Sequence, residues 1–253
     1  MKSFIINLTK KTGLEVLKHF HHSKVVKIKS KSQIVTQADL IADKIIILAL
    51  RKKFPNHRIL SEESGENQKK SDYLWVVDPI DGTTNFSIGS PLFAVQLALF
   101  YKDQPIISCA FAPALNELYF AQKGQGFYLN NKKTRVSQTA DFEESFFTFC
   151  HGSKSKDIKR ALKIFNRAKL KSLDSRQLGA AALETGFVAC GRTDSIVIPG
   201  ANIWDIGPGV LFIREAGGKV TDFSGKDWNL KSYDLAASNG KIHRQILKLV
   251  KNI

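Results

Sequence analysis

The chain has 253 residues, of which 43% are hydrophobic and 24% are charged, and its formal net charge is +15. This length and apolar content suffice for one large domain with a buried core, and the composition excludes a disordered chain. The sequence contains neither a bilayer-spanning apolar run nor a signal-peptide pattern, so we expect a soluble, cytoplasmic protein.

The N-terminal third of the sequence is predicted to be helical before the first strands appear. Apolar residues at helical spacing predict a helix from about residue 5 to 22. The segment 40–54 predicts an amphipathic helix that Pro55 ends. A short apolar step at 58–60 follows, and the run 73–77 predicts a buried strand that ends at Asp78.

The remainder of the chain combines strands and helices. Residues 92–136 predict an antiparallel meander that includes a tight turn at Asn130-Asn131. Beyond it we predict strands at 145–150, 169–174 and 194–200, helices at 154–168, 176–191, 204–218 and 241–252, and two short strands before the last helix. A chain that mixes strands and helices in this way forms an α/β or α+β layered fold.

The segment Asp78-Pro79-Ile80-Asp81-Gly82-Thr83-Thr84 is the strongest candidate for a functional motif. Two carboxylates follow a buried strand, and isolated buried charges are costly unless a cation is present. Carboxylate oxygens suit Mg²⁺ or Mn²⁺ rather than zinc. Gly82 allows close approach of the backbone to a ligand, and a helix that starts at Thr83 presents free N–H groups to phosphate. By itself the motif is equally compatible with a polar turn.

Two further acidic motifs accompany this segment, Glu62-Glu63-Ser64 and a Trp204-Asp205 pair whose helix ends at Glu215-Ala216-Gly217-Gly218. Considered separately they are typical of a solvated face and a helix N-cap. Together with the segment 75–86 and the weaker match 35–39, they resemble the motifs of the inositol monophosphatase family, in the family's order. This family belongs to a lithium-sensitive superfamily that includes fructose-1,6-bisphosphatase.

The resemblance covers nearly the whole chain and implies its architecture. It implies a layered αβαβα sandwich formed by a single phosphatase domain, 1–253. The metal motifs would lie in an N-terminal α+β half, 1–140, and a C-terminal α/β half, 141–253, would complete the site. The resemblance also implies a homodimer.

The resemblance further implies a ligand set for two or three Mg²⁺ ions, with Mn²⁺ as an alternative and Li⁺ as an inhibitor. Glu62, Asp78 and the carbonyl of Ile80 would hold one ion. Asp78, Asp81 and Asp205 would hold a second, and Glu62 would share a third, weaker ion with water. Two-metal sites of this kind activate a water and stabilise the leaving oxygen in phosphoryl transfer.

The remaining site residues are also assigned by the resemblance. Thr83, oriented by Asp39, would position the nucleophilic water together with Glu62. The amides of Gly82 and Thr83 would bind phosphate. Asp81, Asp205 and Arg176 would contact the substrate, and Gln177 stands beside Arg176 where the family often has a substrate contact.

Two departures from the family pattern concern the leaving group and the third ion. Ile198 stands seven residues before Asp205, where inositol-specific members tend to carry a Glu that binds substrate hydroxyls. The segment 29–33 lies where the family often has an acidic residue near the metals, and it has none. We therefore expect weak discrimination in favour of inositol and a less certain third ion.

The predicted function is hydrolysis of inositol monophosphate, or of a related small sugar or polyol phosphate, by a metal-activated water. Fructose 1,6-bisphosphate, a nucleotide 3′-phosphate and histidinol phosphate remain alternative substrates. Positive charge is concentrated in residues 2–31 and 154–176, so a nucleic-acid-binding protein on the same fold is a second hypothesis. No zinc-finger, RNA-recognition or helix-turn-helix pattern supports it, and the six histidines and three unpatterned cysteines indicate no metal or disulfide framework.

Overall fold

Two β-sheets alternate with three layers of helices in the computed structural model, which describes residues 1–30 and 33–253. The prediction of a layered αβαβα sandwich is confirmed. Residues 31 and 32 of the segment that departs from the family pattern lie outside the described residues.

The first layer and the first sheet come from the N-terminal part of the chain. Helices α1 (Lys2–Lys18) and α2 (Gln37–Lys53) pack on one face of the sheet. Between them a hairpin consists of β1 (Val25–Ser30) and β2 (Gln33–Thr36). The sheet contains β3 (Arg58–Ser61), β4 (Gly65–Glu66), β5 (Tyr73–Asp81), β6 (Ala94–Tyr101), β7 (Gln104–Ala112), β8 (Glu117–Gln122), β9 (Gly126–Leu129) and β10 (Lys132–Thr134), with α3 (Thr83–Ser87) after β5.

The strands of this eight-stranded sheet follow the order β10-β9-β8-β7-β6-β5-β3-β4. Within this sheet, β3–β5 is the only parallel pair among the described strands, and β6 to β10 form the predicted meander. Asn130 and Asn131 close the β9–β10 turn at φ of 49° and 66°, as expected for Asn in a tight hairpin turn. The parallel pairing matters for the site, because β3 and β5 end at the same edge of the sheet.

The second sheet and the other helices complete the layers. The strands are β11 (Phe146–Phe149), β12 (Asp174–Arg176), β13 (Ser195–Ile198), β14 (Lys219–Thr221) and β15 (Leu235–Ser238), and the helices are α4 (Ser155–Lys169), α5 (Ala181–Ala189), α6 (Ile203–Glu215) and α7 (His243–Val250). The strand order is β12-β11-β13-β15-β14. Helices α5 and α6 lie between the two sheets, and α4 and α7 cover the outer face of the second sheet.

Three apolar clusters fill the spaces between these layers. One joins α1 and α2 to the first sheet, a second surrounds α5 and α6, and a third lies under α4 and α7. Helices α5 and α6 approach closely because Gly209 faces Thr185, where a Cβ would come within 2.3 Å of the hydroxyl. This tight central layer brings the first turns of α5 and α6 to the edge where β3 and β5 end.

Several local predictions differ from the structure. The strand predicted to end at Asp78 continues to Asp81. The hairpin β1–β2 was not predicted; the apolar residues of β1 are exposed, and among the described side chains of β2 only Val35 and Thr36 are buried. The strand predicted at 169–174 is displaced to Asp174–Arg176, where it pairs with β11. The helix predicted from 176 begins only at Ala181, since Gly179 has a φ of +73° and Ala180 is extended.

Candidate metal centre

Asp78 and Asp81 face the same side of β5 because the strand contains a bulge between them. Asp78 pairs with Gln96 and Asp81 with Ala94, so a step of three residues on β5 opposes a step of two on β6. In a regular strand, residues three apart would point to opposite faces. Pro79, which has no N–H to donate to the ladder, stands inside the bulge. The Asp-Pro-Ile-Asp sequence therefore places two carboxylates on the same side of β5.

Glu62 and Asp205 reach the same point from other elements. Glu62 follows β3, and its amide donates to the carbonyl of Val77 at 3.2 Å. Asp205 lies in the first turn of α6. Oxygen atoms of Glu62, Asp78 and Asp205 all lie within 4.8 Å of one another. Metal–oxygen distances of about 2.0–2.6 Å allow one cation to contact such a group.

The electrostatics of this cluster favour a bound cation. Burial raises the pKa of Asp78 well above its ordinary value, and the charges of Glu62, Asp81 and Asp205 raise it further. Burial and the charge of Glu62 raise the pKa of Asp205 to about 7. One oxygen of Asp78, Oδ1, is buried and accepts no hydrogen bond from the described residues. A divalent cation would satisfy that oxygen and remove the repulsion.

Asp81 is held by the N-terminus of α5. Its carboxylate accepts hydrogen bonds from the amides of Ala181 at 3.1 Å and Ala182 at 2.8 Å. Burial nevertheless raises its pKa well above the ordinary value. Asp81 lies outside the three-carboxylate group of Glu62, Asp78 and Asp205. Its place as a ligand of the second ion stays a prediction.

Glu184 fixes the segment that leads into α5. This fully buried carboxyl accepts the amides of Leu178 at 2.6 Å and Gly179 at 3.1 Å, and burial raises its pKa to about 8. The carbonyl of Leu178 in turn accepts from Asn85 at 2.7 Å. Glu184 thereby ties the start of α5 to the segment after β5.

Gly82 and Thr83 form a cradle beside the carboxylates. Gly82 has a φ of +83°, and a Cβ there would lie 2.7 Å from the carbonyl of Leu92, so only glycine fits. The hydroxyl of Thr83 lies 3.0 Å from Asp39 Oδ1 and 2.8 Å from the carbonyl of Ile80. The other oxygen of Asp39 accepts from the amide and hydroxyl of Thr36, and burial raises the pKa of Asp39 to about 6. The predicted Asp39–Thr83 pair is therefore present as a hydrogen bond.

A cavity of about 310 Å³ opens over these residues. Most of the predicted site residues line it, and Ile198 forms part of its wall. Arg176 does not belong to the lining, and its guanidinium pairs with Asp174 at 2.5 Å. Its substrate role stays a prediction. Gln177, the neighbour of Arg176, is part of the wall. His151 and Ser153, polar side chains that the sequence analysis did not assign to the site, are part of it as well.

Lys29 is a further residue that the sequence analysis missed. Its ammonium group lies 3.1 Å from Glu62 Oε1 and 2.6 Å from Glu63 Oε1. These carboxylates raise the pKa of Lys29 despite its partial burial. The acidic residue that the family often has near this position is thus replaced by a basic one that contacts Glu62. This contact was missed because the hairpin that carries Lys29 was not predicted, and nothing in the segment 25–30 indicates that it packs near the end of β3.

Comparison with known proteins agrees with this fold. The profile of the inositol monophosphatase family matches residues 1–253. A "Fructose-1,6-bisphosphatase/inositol-1-monophosphatase" of Thermotoga maritima is 38% identical, with 99% of this chain and 95% of that protein covered. A "Nus factor SuhB" of Pasteurella multocida is 34% identical over 99% and 96% of the two chains. The solved extragenic suppressor protein suhB of Bartonella henselae has a TM-score of 0.93, 30% identity, and coverage of 99% and 98%.

The fold is an αβαβα sandwich with a cluster of acidic side chains where its central helices meet the first sheet. The chain belongs to the inositol monophosphatase family. Among the described residues, no helix has the length and apolar character needed to cross a membrane.

Proposed function

We propose that this protein is a Mg²⁺-dependent phosphomonoesterase that acts on small sugar or polyol phosphates. The observation that carries the proposal is the convergence of Glu62, Asp78 and Asp205 within 4.8 Å, beside the Gly82–Thr83 cradle. Hard carboxylate oxygens beside a cavity of about 310 Å³ are an arrangement that suits metal-assisted phosphoryl transfer.

The donor set fits Mg²⁺ and also accommodates Mn²⁺. Glu62, Asp78 and the carbonyl of Ile80 would hold one ion, and Asp78, Asp81 and Asp205 a second. When bound, the ions would neutralise phosphate charge and lower the pKa of a coordinated water. Lys29 already places a positive charge against Glu62, which favours two ions over three.

Thr83 and Asp39 would orient the attacking water. Thr83 has one hydroxyl hydrogen and two acceptors in reach, Asp39 and the carbonyl of Ile80. Since the carbonyl of Ile80 is among the groups that would hold a cation, the hydroxyl hydrogen of Thr83 would be donated to Asp39. A lone pair of the Thr83 hydroxyl is then free to accept a hydrogen bond from water and to align it for attack. The amides of Gly82 and Thr83 would hold the phosphate oxygens.

The wall of the cavity suits a substrate whose leaving group is polar but makes few specific contacts with the protein. Ile198 offers no hydrogen bond, whereas His151, Ser153 and Gln177 present polar groups. We therefore infer that inositol monophosphate is one of several accepted phosphomonoesters. Fructose 1,6-bisphosphate is the alternative that the Thermotoga maritima relative's name favours.

The test is a panel of phosphorylated metabolites assayed for phosphate release with and without Mg²⁺. We expect Mg²⁺-dependent release that Li⁺ inhibits and that Asp78→Asn abolishes. An absence of release from every small phosphomonoester, by a folded protein at saturating Mg²⁺ or Mn²⁺, would refute the proposal.

A second candidate function is the binding of nucleic acid, which the net charge of +15 and the relatives named Nus factor SuhB both favour. Binding through a basic surface falls steeply with salt concentration. Asp78→Asn separates the two functions, because it should lose hydrolysis and keep any salt-dependent binding of RNA. Assembly as a homodimer and a cytoplasmic location remain part of the proposal.

A further inference from the structure

Helix α6 lacks one of its backbone hydrogen bonds next to the candidate metal centre. Pro208 lies inside this helix, four residues after Trp204. In an α-helix the carbonyl of residue 204 accepts from the N–H of residue 208, and proline has none. The carbonyl of Trp204 therefore needs a donor from elsewhere, and it precedes Asp205 directly.

Gln96 supplies that donor from a distant part of the chain. Its side chain is fully buried on β6, and Nε2 donates to the carbonyl of Trp204 at 3.0 Å and to that of Asp205 at 2.9 Å. The third group in reach, Asp78 Oδ2 at 3.5 Å, is also an acceptor. Because all three neighbours are acceptors, the amide nitrogen must face them.

This contact joins the backbones that carry two of the carboxylates. Gln96 pairs with Asp78 across β5 and β6, so its backbone is fixed relative to one carboxylate. Its side chain holds the helix turn that presents the other, Asp205. We propose that Gln96, together with Pro208, is a positioning residue that sets the separation between Asp78 and Asp205 for cation binding.

The amide of Gln96 carries a cost at this buried position on β6. The Oε1 atom of Gln96 is buried and has no hydrogen-bond partner among the described residues. Leaving a buried acceptor unpaired costs free energy, and an apolar side chain of similar size would avoid that cost. The amide is explained by the carbonyl that Pro208 leaves without its helical donor.

The inference rests on the proposed metal-dependent function, and it is tested by a double-mutant cycle on the full chain. Gln96→Met keeps the length and approximate volume of the side chain but removes the hydrogen-bond donor. Pro208→Ala restores an N–H to residue 208. Mg²⁺ and Mn²⁺ affinities of the wild type, both single variants and the double variant are measured by calorimetry, and melting temperatures are measured without metal.

We expect Gln96→Met to weaken Mg²⁺ binding by about tenfold, because the carbonyls of Trp204 and Asp205 both lose their side-chain donor. In the Pro208→Ala background the same change should cost less than about threefold, because the restored N–H serves the Trp204 carbonyl. Saturating Mg²⁺ should return the turnover of Gln96→Met to within about threefold of wild type, since positioning affects occupancy of the site first.

Two further variants serve as controls. Ser108→Ala removes another buried, unpartnered polar group from the same sheet, on β7, and should leave Mg²⁺ affinity unchanged. Gln96→Asn shortens the amide by one methylene, so it should weaken Mg²⁺ binding even if Gln96→Met fails to fold.

Unchanged Mg²⁺ affinity in Gln96→Met or in Gln96→Asn overturns the inference while the proposed function stands. If Gln96→Met weakens Mg²⁺ binding by the same factor in the wild type and in the Pro208→Ala background, the coupling to Pro208 is overturned. A folded wild type that binds neither Mg²⁺ nor Mn²⁺ overturns the proposed function itself, and the inference with it.

Discussion

The hydroxyl of Thr83 lies 3.0 Å from the carboxylate of Asp39, although the two residues are 44 positions apart in the chain. Asp39 is the third residue of α2 and forms a capping box with Thr36, so its second oxygen is already engaged. Only Oδ1 of Asp39 is left to accept a further hydrogen bond, and the hydroxyl of Thr83 lies next to that atom. This fixed pair gives the first prediction.

Thr83→Val should lower turnover by about 10²-fold or more, because it removes the group that aligns the water. The Mg²⁺ concentration for half-maximal activity should change little, since the carboxylate ligands remain. Steady-state assays at varied Mg²⁺ separate the two effects. Thr83→Ser is the matched control and should retain most of the activity. A valine variant within about threefold of wild-type turnover would contradict the assignment.

Asp78→Asn should abolish hydrolysis and stabilise the metal-free protein. Burial and neighbouring carboxylates raise the pKa values of Asp78 and Asp205, the latter from 3.8 to about 7. The folded state then holds protons that the unfolded chain releases, so stability falls as the pH rises through about 4 to 7. Removing one charge relieves this repulsion. The gain in melting temperature of the metal-free variant should be larger at pH 8 than at pH 5.

That second prediction is checked by thermal unfolding with a chelator present. Without the chelator, Mg²⁺ should raise the melting temperature of the wild type but not that of Asp78→Asn. Wild-type turnover by the variant at saturating Mg²⁺ would show that Asp78 is no ligand.

Ile198 should leave the protein with little preference for inositol phosphate. One hydrogen bond to a neutral hydroxyl is worth on the order of 1 kcal/mol, so we expect less than about tenfold preference over glycerol 2-phosphate. Ile198→Glu should shift the preference towards inositol 1-phosphate. Catalytic efficiencies for both substrates and for fructose 1,6-bisphosphate decide the matter. A natural preference of about a hundredfold would mean that His151, Ser153 or Gln177 makes the missing contact.

His243 should make the fold sensitive to mild acid. Its ring lies 3.0 Å from the hydroxyls of Thr221 and Ser238, and burial lowers its pKa from 6.5 to about 4. The unfolded state binds the proton first, so stability is lost as the pH falls from about 6.5 to 4, by up to about 3 kcal/mol. Denaturant unfolding at several pH values should show the free energy of unfolding decreasing with this slope as the pH falls. It should be reduced in His243→Asn, and an unchanged slope would rule out the histidine as its source.

The strongest parts of the site were predictable because they depend on local chemistry. Asp78 and Asp81 follow a buried apolar run, and Pro79 between them accounts for the bulge that aligns them. The approach of Glu62 and Asp205 came from the family resemblance, because no local pattern tells which distant loop meets which strand end.

Other features depend on contacts that no local pattern reveals. Gln96 and Trp204 are 108 positions apart, and only the packing of α6 on β6 brings them together. Lys29 contacts Glu62 from a hairpin strand whose apolar residues Val26 and Ile28 are exposed, so the sequence pattern of that strand does not reveal what it packs against. The late start of α5 reflects Glu184, whose carboxylate holds the two amides before the helix in a non-helical conformation.

Asp78 and Asp205 belong to different structural units, a strand of the first sheet and a helix packed between the sheets. A cation shared by them would act as a crosslink between those units. Chelation would then loosen their junction as well as stop catalysis. On removal of the metal, amide hydrogen exchange should become faster in the first turn of α6, whereas exchange in α1, which carries none of the carboxylates, should change less. In this fold the occupancy of the site and the rigidity of the central layer would rise and fall together.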